Sequence, residues 1–220
     1  MKPYVALTCL SILAWGGAPQ SAAAADKRGD VPQRMANCLY ERYPARAEQL
    51  LRSTSAGTAE SAYVSLLDEP LCVSKVVGDH EFTPDDALGS IHLMRGMLAE
   101  QAIAASRAQV QALAALPVQQ KGYARPWSAA SGRNPAVDEM VACVADTNPA
   151  GILALLKTTP GSSEEGAAMS ELDGSIKGCL SAKLKLAVGT RMVRAALADA
   201  LYQRALNPAL SVAQAQGTPH

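Results

Sequence analysis

Met35-Ala36-Asn37-Cys38-Leu39 and Glu139-Met140-Val141-Ala142-Cys143-Val144 are two occurrences of one cysteine-marked helical pattern. A proline-led run follows each cysteine. Pro44 opens Pro-Ala-Arg-Ala-Glu-Gln-Leu-Leu-Arg, and Pro149 leads into Gly151, Ile152, Leu153, Leu155 and Leu156. Proline's fixed φ suits the first helical turn, where its missing N–H leaves nothing unpaired. Each run breaks at small residues, with Gly57 in the first and Gly161 in the second. Another helical run follows, then a second cysteine, Cys72 or Cys179, 34 or 36 residues after the first. The pattern predicts two related helical modules.

Local signals extend the modules. Ser162 stands three residues before Glu165, the spacing of a capping box, and Thr58 is the expected cap in the first module. Longer helices follow the second cysteines. One is expected over about 89–104, with Ile91, Met94, Leu98 and Ala102 at helical spacing; the other over about 190–206, with Val193, Leu197, Ala200, Leu201 and Ala205. Within them Arg95-Gly96-Met97-Leu98-Ala99-Glu100 matches Arg194-Ala195-Ala196-Leu197-Ala198-Asp199. The first module carries an extra stretch, Gly78 to Asp86, in which Thr83, Pro84 and Asp86 suit a helix start. Alternation is confined to Leu184-Lys185-Leu186, too little for a sheet.

Cys38, Pro44, Cys72, Arg95 and Glu100, with Cys143, Pro149, Cys179, Arg194 and Asp199, make the chain resemble a family of exported all-helical bacterial proteins without assigned function. The resemblance spans most of residues 31–206 and implies an all-α fold and export, with no activity attached. The first module departs from it in the Gly78–Asp86 stretch and in lacking a turn like Pro160-Gly161.

Export has its own signature. Lys2, the apolar stretch Val5 to Trp15, and the small residues Ser21 to Ala25 are the three parts of a secretory signal peptide, with cleavage expected after Ala23 or Ala25. Cys9 lies inside the apolar part, too early to become a lipid-anchored first residue. Removing residues 1–25 takes away only Lys2 among the charged residues, leaving 195 of the 220 residues with 19 Lys or Arg against 20 Asp or Glu. Near-neutral charge with no basic block removes the electrostatic footing for nucleic-acid binding. No second long apolar run offers a transmembrane segment. Phe82 is the sole phenylalanine and Trp127 the sole tryptophan after cleavage, so the core must be Leu, Ala, Val and Met.

Four cysteines then remain, and four allow three pairings. The repeat favours Cys38–Cys72 and Cys143–Cys179, since related modules fold alike. A four-thiolate zinc site is the rival, but no Cys-x-x-Cys pair supports it or a redox dithiol. For Arg95, Glu100, Arg194 and Asp199, a spacing of five is poorer for a contact on one helix face than the three or four that suits it. Pairing with a carboxylate on a neighbouring helix, or snorkelling, is the structural expectation, and ligand clamping the alternative. His80, Glu81, Asp85 and Asp86 form the densest polar cluster, capable in principle of metal binding or acid–base work. They overlap a helix cap in the extra loop, which favours a solvated loop. His92 is expected to be a satisfied packing residue.

The resulting expectation is an all-α protein of duplicated four-helix modules, each with an internal disulfide, packed into one body. The divisions are a signal peptide (1–25), first module (26–116), connector (117–134), second module (135–206) and tail (207–220). Residues 106–116 are expected to be helical, and Tyr123 and Trp127 to pin the connector. No catalytic, metal or cofactor residue is assigned. The function read from this is a non-enzymatic secreted or periplasmic scaffold contacting an envelope protein or small apolar ligand. The alternative is an exported hydrolase using the His80–Asp86 loop, with or without a metal.

Overall fold

The computed structural model describes residues 31–77, 90–119, 122–180 and 189–210. Among them the chain forms ten α-helices and no strand. The first half carries α1 (Val31–Arg42), α2 (Pro44–Leu51), α3 (Ala56–Leu67), α4 (Pro70–Val77), α5 (Ile91–Ala105) and the short α6 (Arg107–Gln111). The second carries α7 (Pro135–Thr147), α8 (Pro149–Leu156), α9 (Ser163–Cys179) and α10 (Thr190–Leu206), with 3-10 turns at Pro126–Ala130 and Pro208–Leu210.

Proline and small polar caps set most of the starts. Pro44, Pro135 and Pro149 occupy first-turn positions of α2, α7 and α8. The Asn134 side chain accepts from the Ala136 N–H at 2.9 Å, and Asn148 accepts from Gly151 N–H at 3.0 Å. Ser55, rather than Thr58, is the N-cap of α3; Thr58 is its capping-box partner three residues on. Ser162 caps α9 as expected, but the Glu165 carboxylate accepts from Gly161 N–H at 2.6 Å instead of closing the box on Ser162.

The halves differ where proline intervenes. The run between turn and second cysteine stops after Leu67 and restarts at Pro70, splitting into α3 and α4. In the second half no proline interrupts, and α9 continues unbroken to Cys179. The disulfides are Cys38–Cys72 and Cys143–Cys179, each with Cα atoms 5.7 Å apart. The first ties α1 to α4, the second α7 to α9. Closing loops of this length contributes about 4 kcal/mol apiece in the chain-entropy account.

Helices α5 and α10 form the central pair. Helix α5 packs on α1 and α2, and α10 on α7 and α8. One apolar cluster runs through both halves, from Met35, Leu50 and Leu66 to Met140, Leu155 and Leu201. The 3-10 turn at Pro126–Ala130 touches both α3 and α7. Trp127 is 1 % exposed and Tyr123 8 %, so both pin the connector. Residues 106–116 depart from expectation: only Arg107–Gln111 is helical. Beyond it the backbone is drawn onto the second half, with Leu116 N–H donating to Asp146 O at 2.7 Å and Arg204 donating to Ala114 O. Helix α5 likewise starts at Ile91, two residues after the expected Gly89. Residues 1–25, expected to be a signal peptide, the stretch from Gly78 to Asp86 and residues 211–220 lie outside the described residues.

The α5–α10 crossing depends on one glycine. A Cβ on Gly96 would lie 2.2 Å from the Ala195 carbonyl oxygen. That obstacle is backbone and cannot rotate away. Gly96→Ala is therefore expected to destabilise the fold by about 2–3 kcal/mol, at the upper end of overpacking costs. A shift in the urea midpoint at unchanged m-value would show it.

Candidate functional site

At this crossing the two repeated arginines turn inward from an Ala-rich interface. Arg95 donates through Nη1 to Leu50 O at 2.9 Å, through Nη2 to Leu51 O at 2.7 Å, and through Nε to Asp199 Oδ2 at 2.9 Å. Arg194 donates through Nη1 to Leu155 O at 2.9 Å and through Nη2 to Leu156 O at 3.3 Å. It also holds both oxygens of Glu100, from Nε at 3.2 Å and Nη2 at 2.5 Å. The last carbonyls of a helix lack intrahelical donors and carry the negative end of its dipole. Each guanidinium thus caps the short helix of its own half and pairs with the acid of the other half. The four repeated residues meet in crossed pairs, Arg95 with Asp199 and Arg194 with Glu100.

Four further residues complete the network on the Asp199 side. Gly132, at φ 71°, takes a left-handed conformation that favours glycine and aims Arg133 inward. Arg133 then donates from Nη2 to Asp199 Oδ2 and from Nε to Asp138 Oδ1, both at 2.7 Å, while its guanidinium lies 5.7 Å from the Trp127 ring centre. Ser131 donates to Asp138 Oδ2 at 2.5 Å. Gln203 donates to Leu51 O at 2.7 Å and to Asp199 Oδ1 at 3.1 Å. On the Arg194 side, Glu165 adds a second acid at 3.2 Å. A separate cluster joins Arg125 and Arg204 to Asp146.

Burial alone would raise the Asp199 carboxyl, but Arg95 and Arg133 outweigh it and hold the group below the usual carboxylate range. Arg133, despite burial, is held charged by Asp199 and Asp138. Groups locked in this way join helices; a guanidinium between two carboxylates is a poor proton carrier. His92 corrects the expectation of a satisfied packing residue. Its Nδ1, beside Gly132, is buried with no hydrogen-bond partner among the described residues, and the same holds of Ser128 Oγ and Arg133 Nη1 elsewhere. Desolvation, then the nearby Arg133 charge, pushes its pKa down.

His80, Glu81, Asp85 and Asp86 lie outside the described residues. Among the described residues no group of three or more His, Cys, Asp or Glu is placed to hold a metal. Arg133, Asp138, Ser131, Gln203 and Glu165 carried no repeat signal to single them out. Gly132 before Arg133 was the one local hint. A surface concavity of about 900 Å3 is an open groove beside α3 with Arg46, Glu60, Val64 and Asp68 on its walls. A cleft of about 80 Å3 separates the end of α5 from the end of α8.

Comparison with family models, curated proteins and solved structures finds no match for this chain. The two disulfides fit an oxidising, extracytoplasmic compartment. Among the described residues no single helix is long and apolar enough to cross a membrane; α7 and α8 reach that composition together but meet at 102°, and both contribute to the core.

Replacing Arg95, which is fully buried, by Met strips Asp199 of one partner and removes the guanidinium donors to Leu50 O and Leu51 O, of which Leu51 O keeps Gln203. A loss of about 3–5 kcal/mol is expected in denaturant unfolding, as for a broken buried pair. His92 makes a pH prediction. With its folded pKa below the ordinary 6.5, the unfolded chain binds more protons on acidification. Stability should be insensitive to this group above pH 6.5 and fall as pH drops from there through the folded pKa. Asp146, raised by burial against Arg125 and Arg204, slopes the opposite way at lower pH. The difference in stability between wild type and His92→Gln, followed against pH, isolates the imidazole, and should be independent of pH near neutrality and shift in the mutant's favour on acidification.

Proposed function

We propose that the chain is a non-enzymatic scaffold, exported by its N-terminal signal to the periplasm or cell exterior, that binds an envelope protein or a small apolar ligand. What carries the reading is the use made of the interior charges. Arg95, Arg194, Asp199, Glu100, Arg133 and Asp138 are all engaged in holding helix ends and joining the halves. The interior thereby supplies rigidity, with the disulfides fixing each half against itself. Concave surface lies outside this network, in the groove beside α3 and the cleft between α5 and α8. Val64 and Leu71 on α3 and α4 are half exposed, an apolar pair at the margin of a charged face.

Expression with the native leader tests both parts of the reading. Mass spectrometry of the exported protein is expected to show an N-terminus after Ala23 or Ala25 and four oxidised cysteines. A retained Met1 would overturn export. A photo-reactive residue at Val64 or Leu71 is expected to trap a discrete adduct absent with the label at Lys177. Substrate turnover by the purified protein that disappears in His80→Ala would replace the scaffold with the hydrolase.

A further inference from the structure

The two halves use the same framework contacts but differ beside them, and the difference leaves a space. Arg95 with Leu50 and Leu51 corresponds to Arg194 with Leu155 and Leu156. By that correspondence Tyr202 and Gln203 on α10 stand where Ile103 and Ala104 stand on α5, and Arg52 stands where Lys157 does. Tyr202 is 2 % exposed, and Gln203 beside it donates to Leu51 O. Together they fill the angle between α10 and the end of α2. In the other half Ile103 lacks the ring and hydroxyl, and Ala104 supplies no donor to Leu156 O. The angle between α5 and the end of α8 is accordingly a cleft of about 80 Å3.

Its chemistry is specific. Ile103, Leu153 and Leu156 form an apolar floor, and the exposed Ala104, Arg107 and Lys157 stand at the mouth. Glu100 also reaches the cleft, but both its oxygens accept from Arg194, which neutralises it. Arg107 and Lys157 have no carboxylate partner among the described residues. Filling the place of Tyr202 takes a ring; facing these two cations takes an anionic head.

We propose that this cleft binds a small aromatic acid, its ring on Ile103, Leu153 and Leu156 and its carboxylate accepting from Lys157 and Arg107. This rests on the reading of the chain as a binding scaffold and names one site and ligand class for it. A hydrogen bond to a charged group is worth enough to decide the affinity of so small a ligand. The head lies at the open edge, so substituents beyond it project into solvent.

The probe is 3-phenylpropionate, titrated into the mature, oxidised protein while the methyl resonances of Ile103 and Leu153 are followed by NMR. Saturable shifts are expected, with 3-phenylpropanamide about tenfold weaker. Lys157→Met should bring the acid down to the amide's affinity and leave the amide unchanged. Ile103→Tyr, which rebuilds the Tyr202 arrangement, should weaken both by at least about tenfold by filling the cleft. Ala104→Gln, at an exposed position that leaves the core untouched, should do the same in part and covers the case in which the tyrosine disturbs folding. No saturable shift, or binding undiminished in both filling variants, overturns the site. Hexanoate binding as tightly as phenylpropionate overturns the aromatic class in favour of an acyl one. A silent cleft with a discrete adduct at Val64 or Leu71 removes this site and leaves the scaffold standing; silence in both removes the scaffold as well.

Discussion

Two guanidiniums lie within an interface made chiefly of alanine, and each must find acceptors on both sides of it. Arg95 reaches the end of α2 in its own half and Asp199 in the other; Arg194 reaches the end of α8 and Glu100. Both sets of bonds form together only when α5 and α10 cross at one place and in one register. Sliding α10 against α5 by a turn, about 5.4 Å, would part Arg95 from Asp199, Arg194 from Glu100 and Gln203 from Leu51 O. Buried ion pairs contribute little net stability compared with apolar packing, yet breaking one is expensive. Here that asymmetry works as a constraint on how the halves dock.

Gly96 and the scarcity of aromatics belong to the same constraint. Short side chains let the central helices approach, and Gly96 removes the one Cβ that would hold them apart at Ala195. Close approach is in turn what brings Arg95 Nε within 2.9 Å of Asp199. A core of this kind buries modest apolar area per helix, so covalent ties matter. The disulfides tie the outer helices α1 to α4 and α7 to α9, leaving α5 and α10 held by packing and by the crossed pairs. The connector adds its two large aromatics where it bridges α3 and α7, with Trp127 under the Arg133 guanidinium.

What was legible in the sequence was local or repeated. Prolines at helix starts, Ser162 as a cap, the paired cysteines and the Arg-x-x-x-x-acid stretches are written in short windows, and for the cysteines and the Arg-x-x-x-x-acid stretches a second copy supported the first. Spacing alone also disfavoured Arg95 and Glu100 as partners on one face. Thr58 was misplaced because Ser55 offers the same cap chemistry three residues earlier, and its side chain wins the N-cap position. Residues 112–116 have helical composition, but Asp146 and Arg204 engage their backbone from across the fold, and tertiary bonds prevail over propensity. Arg133 and Asp138 were invisible for a different reason. Arg133 lies outside the repeated stretches, and it reaches both Asp138 and an acid 66 residues away only after the left-handed turn at Gly132.

That last asymmetry separates framework from function more sharply than any motif does. Positions that perform the same task in both halves, such as Arg95 and Arg194 or Leu51 and Leu156, are accounted for by the docking they enforce. Positions that differ while their surroundings agree need another account. Arg133 gives Asp199 a second cation, whereas Arg194 shares two acids, Glu100 and Glu165. Tyr202 and Gln203 close one angle between helices; Ile103 and Ala104 leave the opposite angle open beneath two cations that have no carboxylate partner among the described residues. A rigid frame that is filled at one site and open at its counterpart needs no conformational change to admit a ligand, because the walls are already held by the bonds that join the halves.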